Sequence, residues 1–359
     1  MAESLPKPSQ LMVERLESGQ KPGQFSDQYQ LELVLPAGAM RVGLVAGACM
    51  ALRKVWRQNW PTDVNRATSS GAAPLMYLLA GERHAEGGSI PYDELSVGFI
   101  SLKNLILKKR AVNLQLMMDA FRQGHKRLNF DNILAHPSQT HVYATSINDA
   151  RVIDFRIGTE ALSQEQGIHS QDNEYIYFCH TPEDVCTAIE ASAHIPYYAG
   201  PPVKVTDGIY AVDGGVSSAG RVPLKRAIEG EATHILVFWN NKSIEADFPR
   251  DFKEKFAAWK HKKDYPVFYE KYWTGHETHR EVIDLIGRES DAQIPPIIEV
   301  VKVPDDAIPK QRETRADVLY KSTVAGMQAM LKVFEPHGIE LDDSIDLLSP
   351  DDLARQKLV

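Results

Sequence analysis

The 359-residue sequence predicts an α/β fold with a mainly parallel central sheet flanked by helices. Two observations carry that prediction. From about residue 29 onward, short apolar runs of strand length alternate with longer runs of helical period, the pattern of consecutive βα units. Small residues, Gly, Ala and Ser, gather where those strands hand over to helices, which is where α/β sheets build their sites. One large domain with additions fits the length better than two equal ones.

Composition sets the class. A content of 43% hydrophobic and 25% charged residues is that of a soluble globular chain. The formal charge of -8 offers no general attraction to nucleic acid. Three cysteines, Cys49, Cys179 and Cys186, are too few for a disulfide framework or a four-thiolate metal site. The first residues contain no apolar leader, and no run of about 18 apolar residues follows, so a cytoplasmic protein is expected.

The elements follow in order. Residues 1–28, rich in Pro, Gln, Ser and Gly, read as a flexible arm. Then come a strand at "LELVLP", a helix at "MRVGLVAGACMALRKVW", a short strand at "DVNRAT" and a helix at "GAAPLMYLLAG". The first helix is apolar nearly all round. Its Gly43, Gly47 and Ala51 recur every fourth residue, so a close approach to a sheet is expected. Residues 82–140 lack simple alternation and read as a helical excursion. The basic and apolar stretch 102–127 within it fits a lid, an anionic membrane surface, or a core helix with a charged outer face. Strands return at "HVYATSI", "ARVIDFRI", "EYIYFC", "GIYAVD", "THILVFW" and "PIIEVVKV". "TPEDV" opens a helix with Thr181 as cap and Pro182 in the first turn. Residues 246–359 are charged and mainly helical, ending in an acidic segment.

Three places could carry chemistry. "ATSSG", residues 67–71, is a G-x-S-x-G elbow whose first glycine is alanine. In such a turn a serine projects its hydroxyl beside the amides that open the next helix. Taken alone, Ser69 and Ser70 fit a helix cap as well as a nucleophile. Upstream, Ala37, Gly38 and Ala39 make a small-residue loop before Arg41, a loop able to present amides to an oxyanion or to serve as a plain turn. Downstream, Asp213 in "AVDGG" puts a carboxylate at a strand end or in an ordinary Asp-Gly turn.

Together these pieces resemble the patatin-like phospholipase family, which has a Gly-rich oxyanion loop with a basic residue, a G-x-S-x-G elbow, and a DGG aspartate paired with the serine without a histidine. Residues 36–41 match the loop, 67–71 the elbow, with Ala67 and Gly71 as its outer positions, and Asp213 the acid. "ASAHIP" and "LKRAIEGEATHILVFW" resemble segments on either side of the family's DGG, and 312–320 resemble a C-terminal part of some bacterial members. The likeness spans about residues 30–240. Ala37, Ala39 and Ala67 stand where the family has glycines, and Asn65 and Arg66 where its strand is apolar.

The resemblance implies a patatin-like three-layer α/β fold, with a catalytic domain over 29–245 and a helical extension over 246–359. It implies an acyl-ester hydrolase of phospholipase A or lysophospholipase type, without cofactor or metal, acting on an acyl lipid or small acyl ester and touching membranes peripherally. Ser69 would be the nucleophile and Asp213 its base. Amides of Gly38, Ala39 and Ser70 would form the oxyanion hole, and Arg41 would contact the substrate head group. An inactive lipid-binding or scaffold protein, or an acyltransferase or thioesterase using the same dyad, are the alternatives. Of twelve histidines, His194 in "ASAHIP" is the candidate for a rival triad, because that segment is expected to approach the site, with core or surface burial the commoner fate of such a residue. His276 and His279 lack the HExxH frame and read as a wet helix face.

Overall fold

The computed structural model describes residues 5–352 apart from 57–59, 82–83, 97, 102–109, 124–125, 172, 217–219, 221, 243–258, 260–261, 275–281, 283, 287–294 and 340–348. Ten strands form one sheet: β1 (Leu31–Leu35), β2 (Val64–Thr68), β3 (Gln139–Ser146), β4 (Val152–Ile157), β5 (Gly167–Gln171), β6 (Glu174–Phe178), β7 (Val203–Thr206), β8 (Ile209–Asp213), β9 (His234–Trp239) and β10 (Ile297–Lys302). The order is β10-β9-β1-β2-β3-β4-β6-β5, with β8 also pairing β3 and β7 pairing β8. From β10 through β3 every neighbouring pair is parallel, as the βα alternation predicts. β4 and β8 are antiparallel to β3, and β5 is antiparallel to β6.

Alternation along the strands separates two apolar layers. Leu31, Leu33 and Leu35 of β1, with Leu236 and Phe238 of β9, join the main core; Val34, Ile235, Val237 and Trp239 face a smaller cluster with Leu224, Ala227 and Ile286. The sheet therefore lies between helical layers, as expected.

The helix Val42–Trp56 is buried over most of its surface. Its glycine stripe meets another helix: a Cβ on Gly47 would lie 1.8 Å from the Thr323 carbonyl oxygen of the helix Ala316–Phe334. The close approach anticipated against a sheet is thus made against that C-terminal helix, which docks on the core.

The expected arm is also corrected. Pro8–Glu17 is a helix with Leu11, Met12 and Val13 buried. Arg15, almost wholly buried, reaches Asp27 at 2.8 Å, Asp63 at 2.9 Å and the carbonyls of Pro61 and Tyr29. Five donors satisfied at once fasten residues 8–27 to the start of β2. Composition misled because the apolar residues are few but all face inward. β5 and β7 also went unanticipated; they are only five and four residues long and half exposed, too short for a period to stand out.

Within residues 82–140 the described helices are His84–Asp93, Leu114–Arg122 and Phe130–Leu134. Lys126, from the basic stretch, is buried against Asp93. Residues 102–109 and 124–125 of that stretch lie outside the described residues, as do His276, His279 and most of the acidic C-terminal segment. Among the described residues no helix is long and apolar enough to cross a membrane.

Candidate active site

The edge of β3 brings two distant strand ends together. β2 covers residues 139–143 of that edge, with Thr68 opposite Tyr143; β8, running the other way, covers 144–146, with Asp213 opposite Ala144. Two strands of opposite direction thus end head to head, and the residue after one meets the last residue of the other. Ser69 Oγ donates to Asp213 Oδ2 at 2.6 Å. Both side chains are more than nine-tenths buried. The Gly215 N–H holds Asp213 Oδ1 at 2.7 Å, so the carboxylate is gripped from both sides.

Ser69 sits at φ 52°, one of few non-glycine residues in the left-handed region. That conformation, costing about 1–2 kcal/mol for an L-residue, turns the chain sharply from β2 into the helix Ala72–Ala80, as a nucleophile elbow requires. Gly71 is needed for close approach: a Cβ there would lie 2.9 Å from the carbonyl oxygens of Leu35 and Pro36. Ala67 lies in β2, outside the left-handed region, so alanine is accommodated at the first elbow position.

The loop after β1 lies beside the elbow. Ala39 has φ 51°, so the alanine found there accepts the strain that glycine would avoid. The amide N–H groups of Gly38, Ala39 and Ser70 donate to none of the described residues. Two residues without a sequence signal hold this loop: Asn240 Nδ2 donates to the Ala37 carbonyl at 3.2 Å, and Asn241 Oδ1 accepts from Arg41. Both asparagines are buried just past β9, and only the tertiary fold reveals their use. The Gln311 carbonyl accepts the Met40 N–H at 3.2 Å, adding an anchor from the C-terminal part.

Arg41 is buried, its Nε donating to the Pro309 carbonyl and Nη1 to Asn241. Its guanidinium braces the loop against residues 241 and 309. Asn65 and Arg66 do not line the cleft. Asn65 Oδ1 accepts from Thr62 and Trp60, and Arg66 lies on the opposite face of β2, paired with Glu32 at 2.6 Å. The His194 Nε2 faces the Gly200 carbonyl at 3.3 Å, while its backbone carbonyl accepts the Asp213 N–H at 2.9 Å. Burial pushes the Cys186 thiol up to about 11 and raises Cys49 and Cys179 as well, which suits inert packing.

Ser69, Ser70 and Ala39 open onto a cleft lined otherwise by apolar side chains, among them Leu95, Phe99, Val112, Met117 and Ile195. Its empty space, counted to the open mouth, is about 470 Å³. The Ser70 hydroxyl is buried in this wall with no hydrogen-bond partner among the described residues.

Fold and site thus define an α/β protein with a buried serine–aspartate pair at converging strand ends, beside an apolar cleft. Among solved structures, "VipD from Legionella pneumophila" matches with a TM-score of 0.37 and 13% identity, over 85% of this chain and 67% of that chain. No family model matches the sequence, and no curated protein does. The functional reading rests on this chain's own side chains.

Proposed function

We propose that the protein is a serine acyl-ester hydrolase of phospholipase A or lysophospholipase type, patatin-like in its motif order, acting through Ser69 and Asp213. The observation that carries this reading is the 2.6 Å hydrogen bond from Ser69 Oγ to Asp213 Oδ2 at the end of an apolar cleft. A serine hydroxyl is a weak nucleophile until an adjacent base accepts its proton, and in this reading Asp213 is that base, with no histidine.

In this mechanism Asp213 Oδ2 takes the proton as Ser69 Oγ bonds to the ester carbonyl carbon. Amides of Gly38, Ala39 and Ser70 are the candidate donors to the resulting oxyanion. Collapse breaks the bond to the alcohol, which leaves with the proton from Asp213. Water, deprotonated by the same carboxylate, then releases the acid and restores Ser69. The apolar cleft takes the acyl chain, and the alcohol half faces the mouth, where peripheral contact with a lipid surface would deliver substrate. An acyltransferase or thioesterase would share the first half-reaction.

Fluorophosphonate labelling tests the reading. The native protein is expected to label on a serine, with labelling abolished in Ser69→Ala and reduced about 100-fold or more in Asp213→Ala, the range for loss of a general base. Failure of the folded native protein to label would favour a lipid-binding or scaffold role.

A further inference from the structure

The end of the helix Pro182–Ala193 touches both members of the pair. Ser192, fully buried, accepts the Ser69 backbone N–H on its Oγ at 2.7 Å and donates its own hydroxyl proton to the Tyr143 carbonyl at 2.6 Å. Two residues on, the His194 carbonyl accepts the Asp213 N–H at 2.9 Å. Tyr143 is the β3 residue opposite Thr68, beside the Ala144 opposite Asp213, so this hydroxyl is anchored at the point where the two strand ends meet.

We infer that Ser192 is a positioning residue: its hydroxyl, fixed by Tyr143, pins the Ser69 amide and so holds the nucleophile in its left-handed turn within reach of Asp213. The inference rests on the hydrolase reading for its kinetic consequence and on geometry alone for its structural one. Ser69 is the first residue past β2 and opens the helical turn Ser69–Gly71, and the β2–β3 pairing ends one residue before it, at Thr68. A buried amide in that state needs an acceptor, and a strained φ persists only where its surroundings over-determine it. Ser192 meets both needs with one atom. It also occupies the Ser69 N–H, leaving the amides of Gly38, Ala39 and Ser70 as the oxyanion donors. The serine contributes no proton to the reaction; it acts through Ser69.

The test compares Ser192→Ala with Ser138→Ala, a control that removes an equally buried hydroxyl donating at 2.6 Å to the Thr62 carbonyl, away from the pair. Two readouts are taken on folded protein: the second-order rate of fluorophosphonate labelling, and deuterium uptake of the peptide containing residues 66–72. Ser192→Ala is expected to label at least tenfold more slowly and to exchange faster in that peptide, while Ser138→Ala matches the native protein in both. Ser192→Cys, whose sulfur is a weak acceptor, is expected to behave like the alanine variant and replaces it if alanine does not fold. Native rates and native exchange in the Ser192 variants would overturn the inference. Absence of labelling in the native protein would instead reject the hydrolase reading, and the exchange comparison would still decide whether Ser192 holds the turn.

Discussion

Ser69 has to be both a side chain and a kink. Its hydroxyl bonds to Asp213 while its backbone holds φ 52°, so the two roles separate by substitution. Ser69→Gly and Ser69→Ala remove the same hydroxyl, but only alanine keeps a Cβ in the left-handed region. Ser69→Gly is therefore expected to be the more stable of the two by about 1 kcal/mol, the left-handed penalty less the extra chain entropy of glycine. Urea unfolding of the pair checks this. Asp213 and Gly71 were legible in the sequence because their residue types are chemically restricted at such turns. Ser192, Asn240 and Asn241 were not. Each acts on a loop far away in the chain through one hydrogen bond, and nothing in local spacing encodes that.

Along the elements, periodicity located β1–β4, β6 and β8–β10 and the helices that flank them, since burial of one face forces the repeat. It missed Pro8–Glu17, whose Leu11, Met12 and Val13 are too few to stand out in a polar stretch but are all buried. The cleft is likewise a product of several elements. Ile195 stands half-buried in its wall just past the helix Pro182–Ala193, so a larger side chain there narrows the space for a chain without touching the pair. Ile195→Trp is expected to lower kcat/KM for a long-chain p-nitrophenyl ester tenfold or more while changing that for the acetate less than threefold, measured by ester hydrolysis.

Across the whole molecule, charge is handled by burial as much as by pairing. Half-buried His136, just after the helix Phe130–Leu134, accepts the Ser138 N–H on Nδ1 at 3.2 Å, and burial, with the Arg53 charge adding to it, pushes it down to about 4. A histidine depressed in the folded state is protonated more readily when unfolded. Its contribution to stability is therefore complete above its ordinary value of about 6.5 and is lost as pH falls from there toward 4. His136→Gln is expected to flatten the loss of stability over that window, as seen in urea unfolding at a series of pH values. Asp154 opposes a similar burial effect with the charges of His141, Arg156 and Arg66, and its carboxyl is held below the ordinary carboxylate range. It supports the fold until pH falls below about 3.8.

By itself, the sequence determined the α/β class, the order of most elements, and the identity of the serine and the aspartate, because period, turn chemistry and reactive residue type are local properties. The tertiary structure alone decided that β8 runs antiparallel and meets β2 end to end on β3. That pairing brings Ser69 within 2.6 Å of Asp213 across 144 positions of chain. It also turned Arg41 inward, docked the first helix, and set Ser192 against the Ser69 amide. Contacts of that range depend on how the layers pack, and packing is settled by the whole chain at once.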